Sequence, residues 1–129
     1  MTVKVLYVDD DDDIREIAVM SLELEPEFAV RACSSGEEAI GVLGEWNPDV
    51  VLLDVMMPGK SGLEVLDEIR NGSNKKLRDI PVMMITAKSG TEDIDKALEL
   101  GANSYIVKPF RGTTIREKVR GIFELPFNG

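Results

Sequence analysis

The sequence predicts an α/β fold, a doubly wound five-stranded parallel sheet with five helices on its two faces. Three observations predict it. Short β-rich runs alternate five times with stretches whose apolar residues recur at helical spacing. The central run, Val50-Val51-Leu52-Leu53, is apolar without alternation, as a strand buried on both faces is. The carboxyl ends of the runs carry reactive side chains: aspartates after the first, Asp54 on the third, Thr86 on the fourth and Lys108 on the fifth. Right-handed crossovers bring those ends to one rim, and open α/β sheets bind ligands there.

Each element has its own signal. Val3 to Val8 is the first strand and leads into Asp9-Asp10-Asp11-Asp12-Asp13. Ile14, Ile17, Ala18 and Leu22 then mark a helix from about Asp13 to Leu24, closed by Pro26. Phe28 to Cys33 is the second strand. Ser35-Gly36-Glu37-Glu38 reads as a capping box, with Ala39, Ile40 and Leu43 on one face of a helix that stops near Trp46-Asn47-Pro48. After the Asp54 strand, Met56 to Gly62 form a loop with Pro58 and two glycines, which leaves Asp54 on a reachable surface. Ser61-Gly62-Leu63-Glu64 is a second capping box, backed by Leu63, Leu66 and Ile69.

Asn71 to Asp79 is polar, with basic Lys75, Lys76 and Arg78, and is predicted to be an exposed loop. Pro81 to Thr86 is the fourth strand. Ser89-Gly90-Thr91-Glu92 opens the fourth helix, with Ile94, Ala97 and Leu98 inward and Gly101 as its stop. Ser104 to Lys108 is the fifth strand. Thr114 to Glu124 is the fifth helix, with Ile115, Val119, Ile122 and Phe123 on one side. The domain is expected to span 1–124, with 125–129 a frayed tail or the start of a linker.

Composition bounds the function. A chain of 129 residues implies one domain. A net charge of −9 argues against non-specific binding to nucleic acid or an anionic membrane and is compatible with a cation. No apolar run approaches the ~18 residues of a membrane span, and no signal peptide precedes the first strand. A lone cysteine, Cys33, allows no internal disulfide, fits a reducing cytoplasm, and is expected to be buried and inert. The chain has no histidine, which excludes histidine-based catalysis or metal ligation from within it.

The rim is where these residues acquire joint meaning. Two carboxylates about 5 Å apart repel by roughly 3 kcal/mol at an effective dielectric of 20. Three in one pocket need a proton or a divalent cation. Hard oxygen donors suit Mg²⁺, with Mn²⁺ as a substitute. Lys108 adds a point charge suited to a phosphoryl group, and Thr86 adds a hydroxyl. A carboxylate nucleophile, a dication, a lysine and a hydroxyl make a phosphoryl-transfer site with Asp54 as acceptor. Singly, each residue has a plain structural use: a helix cap, a strand-end threonine, an exposed lysine. Their convergence on one rim favours the chemical reading.

The chain resembles the response-regulator receiver domains of two-component signalling, of the single-domain chemotaxis and sporulation type. The resemblance rests on Val8-Asp9-Asp10, on Pro48 to Gly62, on Ile85-Thr86-Ala87 and on Lys108-Pro109-Phe110, which occur in order across nearly the whole chain. It implies a flavodoxin-like strand order of 2-1-3-4-5, an order the general rule for such folds already illustrates with a chemotaxis receiver. It implies Asp54 as phosphoacceptor, Mg²⁺ on Asp10, Asp54 and the Met56 carbonyl, and Asp9 in or next to that set. The aspartate run admits a second register, Asp10 with Asp11; the first is preferred because Val8 ends the strand just before Asp9.

The resemblance also implies that Thr86 and Lys108 hold the phosphoryl oxygens, that Lys108-Pro109 is a cis peptide, and that Tyr105 is the switch aromatic. Met56 and Lys88 stand where the family tunes phosphoryl lifetime, and an apolar Met56 implies slow self-dephosphorylation. The phosphodonor would be a histidine kinase or phosphotransfer protein. The output would be a target protein bound on the face of the fourth helix, fifth strand and fifth helix, with no direct contact to nucleic acid or membrane and no turnover of external substrates. Three other classes compete. An Asp-nucleophile phosphohydrolase usually carries an acid two residues after the nucleophile, where Met56 stands. A flavin binder would not place five aspartates at its phosphate loop. A receiver-like module that is never phosphorylated has no need of all of Asp9, Asp10, Asp54, Thr86 and Lys108.

Overall fold

The computed structural model describes residues 2–87 and 91–126. Five parallel strands form one sheet in the order β2-β1-β3-β4-β5: β1 (Val3–Val8), β2 (Phe28–Cys33), β3 (Val50–Asp54), β4 (Val82–Ala87) and β5 (Ser104–Lys108). The helices are α1 (Asp12–Glu23), α2 (Gly36–Trp46), α3 (Gly62–Asn71), α4 (Lys75–Arg78), α5 (Thr91–Glu99) and α6 (Gly112–Ile122). Alternation along the strands sorts the core into two layers. Val5, Tyr7, Leu52, Met83 and Ile85 pack with Ala18 of α1 and Ile115 of α6. Leu6, Leu53 and Met84 face the other way, against Leu43 of α2, Val65 of α3 and Ala97 of α5. The central strand is buried at every residue, which explains its unbroken apolar run.

The described residues form six helices, not the five expected. The stretch read as an exposed loop contains α4, capped by the Asn74 side chain on the Lys76 amide and anchored by buried Leu77. Four residues with one apolar side chain show no helical period, so pattern alone misses it. The fourth and fifth predicted helices are therefore α5 and α6. The last helix also starts and stops earlier than its periodicity suggested.

The two capping boxes differ. At Ser61 both bonds form, to the Glu64 amide and from Glu64 back to the Ser61 amide. At Ser35 only the first forms, because the Glu38 carboxylate takes the Ser34 amide instead. Gly62 answers a close approach: a Cβ there would lie 2.1 Å from the Asp54 carbonyl oxygen. Gly101 stops the α5 segment with φ of +100°, as its position predicted. Leu125 packs on the core and its amide bonds the Arg120 carbonyl at 2.9 Å, so residues just past α6 are tied down. No helix among the described residues is long and apolar enough to cross a membrane.

Candidate functional site

Register builds the site. β1 and β3 pair with Val8 opposite Leu53, so the next residues, Asp9 and Asp54, meet side by side beyond the ladder. Both share strand parity with the core layer facing α1 and α6, because side chains two apart point the same way. Asp10 turns outward into solvent. One carboxylate oxygen from each of Asp9, Asp10 and Asp54 lies within 4.8 Å of the others, with Asp9 and Asp54 buried and Asp10 exposed. Asp11 lies outside this cluster and caps α1, accepting the Ile14 amide at 3.0 Å.

Lys108, at the end of β5, reaches across to the acids. Its Nζ donates to Asp54 Oδ2 at 2.9 Å and lies 3.1 Å from Asp9 Oδ2. The Lys108–Pro109 peptide is cis. The Met56 amide donates to Asp54 Oδ1 at 3.2 Å, while the Met56 side chain is 72% exposed beside the site. Thr86 is buried at the end of β4, and its hydroxyl donates to the Ala87 carbonyl at 3.3 Å rather than to an acid. Tyr105 points outward on β5, 42% exposed. Lys88 lies outside the described residues.

The charges are strained in the expected direction. Burial, then the Asp9 carboxylate alongside, raises the Asp54 carboxyl to about 7. Burial also pushes Asp9 up, but its contacts with Asp54, the Asp11 amide and Lys108 outweigh that and hold it below the usual carboxylate range. Burial lowers Lys108, yet its bonds to Asp54 and Asp9 prevail and keep it firmly charged. One lysine thus balances only part of three clustered carboxylates, and the rest of the charge invites a proton or a hard dication. The donor set, all oxygen and partly solvent-facing, fits Mg²⁺. The Cys33 carbonyl accepts the Asp9 amide at 3.1 Å, but its side chain is buried in the core layer on the opposite face, with the thiol pushed up to about 12, mainly by burial.

Two neighbours of the site gave no signal of their own in the sequence. The Tyr7 hydroxyl donates to Asp9 Oδ2 at 3.0 Å. Arg15 donates to the Asp9 carbonyl at 2.9 Å and pairs with Asp12. The shared parity of Tyr7 and Asp9 was available as a clue. The reach of Arg15 back over the turn was not.

The family model of the response regulator receiver domain matches residues 5–120. A protein named "Probable transcriptional regulator ycf27" from Guillardia theta is 42% identical over 119 residues, covering 92% of this chain and 44% of that protein. The chain therefore spans under half the length of that relative. The chemotaxis protein CheY4 of Vibrio cholerae superposes with a TM-score of 0.86 at 27% identity, over 95% of this chain and 99% of that one. The receiver domain of NtrX from Brucella abortus gives 0.83 at 28% identity, over 95% and 99%.

Proposed function

The chain belongs to the response regulator receiver domain family, and from that premise we propose that Asp54 takes a phosphoryl group from a phosphohistidine of a kinase or phosphotransfer protein. Receiver domains are phosphorylation-operated signalling switches. The observation that carries the residue assignment is Lys108 lodged between Asp54 and Asp9, at 2.9 and 3.1 Å, beside a third carboxylate open to solvent.

In the proposed step an Asp54 carboxylate oxygen forms the new P–O bond as the donor's P–N bond breaks. The imidazole keeps the bonding pair and takes up a proton. Asp10 and Asp54 would hold Mg²⁺ with the Met56 carbonyl, and Asp9 stands beside them. When bound, the dication neutralises charge on the phosphoryl oxygens. Lys108 offers its ammonium to those same oxygens. Thr86 would exchange its Ala87 bond for one to the phosphoryl group, and Tyr105 would follow inward. That biases two pre-existing arrangements of the α5–β5–α6 face, where a target protein binds. Met56 offers no group to position a hydrolytic water, and with Lys88 it would set a long phosphoryl lifetime. Loss of label from purified protein within seconds would rule that out.

Incubation with Mg²⁺ and acetyl phosphate, read by intact mass, tests the assignment. One added phosphoryl group is expected, absent in Asp54→Asn and absent with chelator. Addition that survives Asp54→Asn would overturn it. Turnover of a chromogenic phosphate monoester would favour a phosphohydrolase instead.

A further inference from the structure

Tyr7 lies beneath the acidic rim, and the proposed chemistry makes no use of it. Its ring is fully buried in the core layer with Ala18, Leu52 and Ile106. A phenylalanine would supply the same apolar packing there. The hydroxyl must instead find a partner inside the protein, and it finds Asp9 Oδ2 at 3.0 Å.

Asp9 is held on every side. Oδ1 accepts the Asp11 amide at 3.0 Å, and Lys108 Nζ lies 3.3 Å from Oδ1 and 3.1 Å from Oδ2. Its carbonyl takes Arg15 at 2.9 Å. An ionised carboxylate offers about four acceptor positions, and Tyr7, Asp11 and Lys108 together occupy that capacity. Asp10 next door is exposed, and among the described residues its carboxylate has no such bonds. The two neighbours are therefore built for different work. Asp10 is free to meet a cation, while Asp9 is a fixed anion that aims Lys108 and anchors the turn leading to Asp10.

We propose that Tyr7 is a positioning residue. Its buried hydroxyl fixes the Asp9 carboxylate, and through it the turn that presents Asp10, so that Tyr7 sets Mg²⁺ affinity without touching the ion or the phosphoryl group. This rests on the proposed Mg²⁺-dependent phosphorylation of the same site. Groups that orient metal ligands through hydrogen bonds typically change affinity by 10–100-fold. The effect here falls below that range, because Asp9 stands beside the ion and the Asp11 amide and Lys108 still restrain it when the hydroxyl is gone.

The test is Tyr7→Phe in the full chain, which removes one oxygen and keeps the ring. Calorimetric titration with Mg²⁺ at neutral pH is expected to give a dissociation constant raised about three- to tenfold. Phosphorylation by acetyl phosphate should need correspondingly more Mg²⁺ for half-saturation and reach the same rate at saturating Mg²⁺. A purely structural hydroxyl would lower the unfolding midpoint in chelator and leave the Mg²⁺ constant alone. A constant within twofold of wild type, or a tighter one, overturns the inference. Absence of saturable Mg²⁺ binding by the wild type would instead sink the proposed function, and this inference with it.

Discussion

The two rims of the sheet handle charge in opposite ways. At the carboxyl rim three carboxylates share one lysine, and Asp54 is pushed to about 7. At the amino rim charges are matched, two arginines, Arg116 and Arg120, facing Glu25 and Glu27. Arg120 donates to Glu25 and Glu27 at 3.1 and 3.0 Å and to the Pro126 carbonyl at 2.6 Å. The Lys4 amide donates to Asp49 at 2.8 Å, and the Lys4 ammonium reaches the Trp46 carbonyl at 3.1 Å. The satisfied rim ties α6 and the chain beyond it to the start of β2. The unsatisfied rim holds stored repulsion that a ligand can relieve. Crowding like charges in this way costs stability that the rest of the fold supplies.

Substitutions at each rim can break this contrast. The largest effect is expected at Gly62, where a Cβ meets the Asp54 carbonyl oxygen at 2.1 Å. Gly62→Ala should lower the unfolding midpoint by about 5–10 °C, as overpacking against backbone does, and weaken Mg²⁺ binding as the Asp54 strand end shifts. Arg120→Ala comes next, with a midpoint lower by about 5 °C and Mg²⁺ affinity unchanged. A change in affinity there would show that the two rims are not independent.

At the acidic rim the sign reverses. Asp54→Asn should raise the midpoint of the metal-free protein by about 3 °C, measured in chelator. The pH dependence carries the same signature. The folded Asp54 carboxyl titrates near 7 against 3.8 ordinarily, so the folded state holds the extra proton between those values. Its contribution is fully present below about pH 4 and is lost as pH rises through about 7. Metal-free wild type should therefore lose stability across that window, and Asp54→Asn should flatten the slope. Asp9, held low, acts in the opposite sense, its contribution disappearing only as pH falls below the ordinary carboxylate range. A wild-type stability that climbs from pH 4 to 7 in chelator would contradict the proposed strain.

Much of the carboxyl rim was legible in the sequence, for a physical reason. A strand buried on both faces must be written as an unbroken apolar run, so Val50 to Leu53 announced both β3 and the place of Asp54. Ser61 and Glu64 announced α3 through a local, reciprocal pair of bonds. What escaped depends on contacts distant in sequence or too brief for a period. Lys108 and Asp9, 99 residues apart, were both expected on this rim, but the direct bond between them was not. The Tyr7 bond needed the strand parity to be combined with the burial of the phenol. The four-residue α4 depends on Asn74 and Leu77 alone. Most of the amino rim escaped too, because Arg120, Glu25 and Glu27 are ordinary charged residues until packing brings them together.

The smallest effect probes the amino rim at its edge. Glu124 sits at φ of +55°, just past α6. Its amide bonds the Gly121 carbonyl at 3.2 Å and the Leu125 amide bonds the Arg120 carbonyl at 2.9 Å. That pair of bonds is the reversal that glycine usually completes at a helix end. A residue with a Cβ costs about 1–2 kcal/mol in the left-handed region. Glycine removes the cost but gives back about half in unfolded-chain entropy. Glu124→Gly should therefore raise the calorimetric midpoint by about 2 °C and leave Mg²⁺ affinity untouched, whereas Glu124→Val should lower the midpoint. A destabilised Glu124→Gly would mean that the carboxylate contributes more than the backbone strain it imposes, and that charge at this rim is matched one residue further than the pairs of Arg120 indicate.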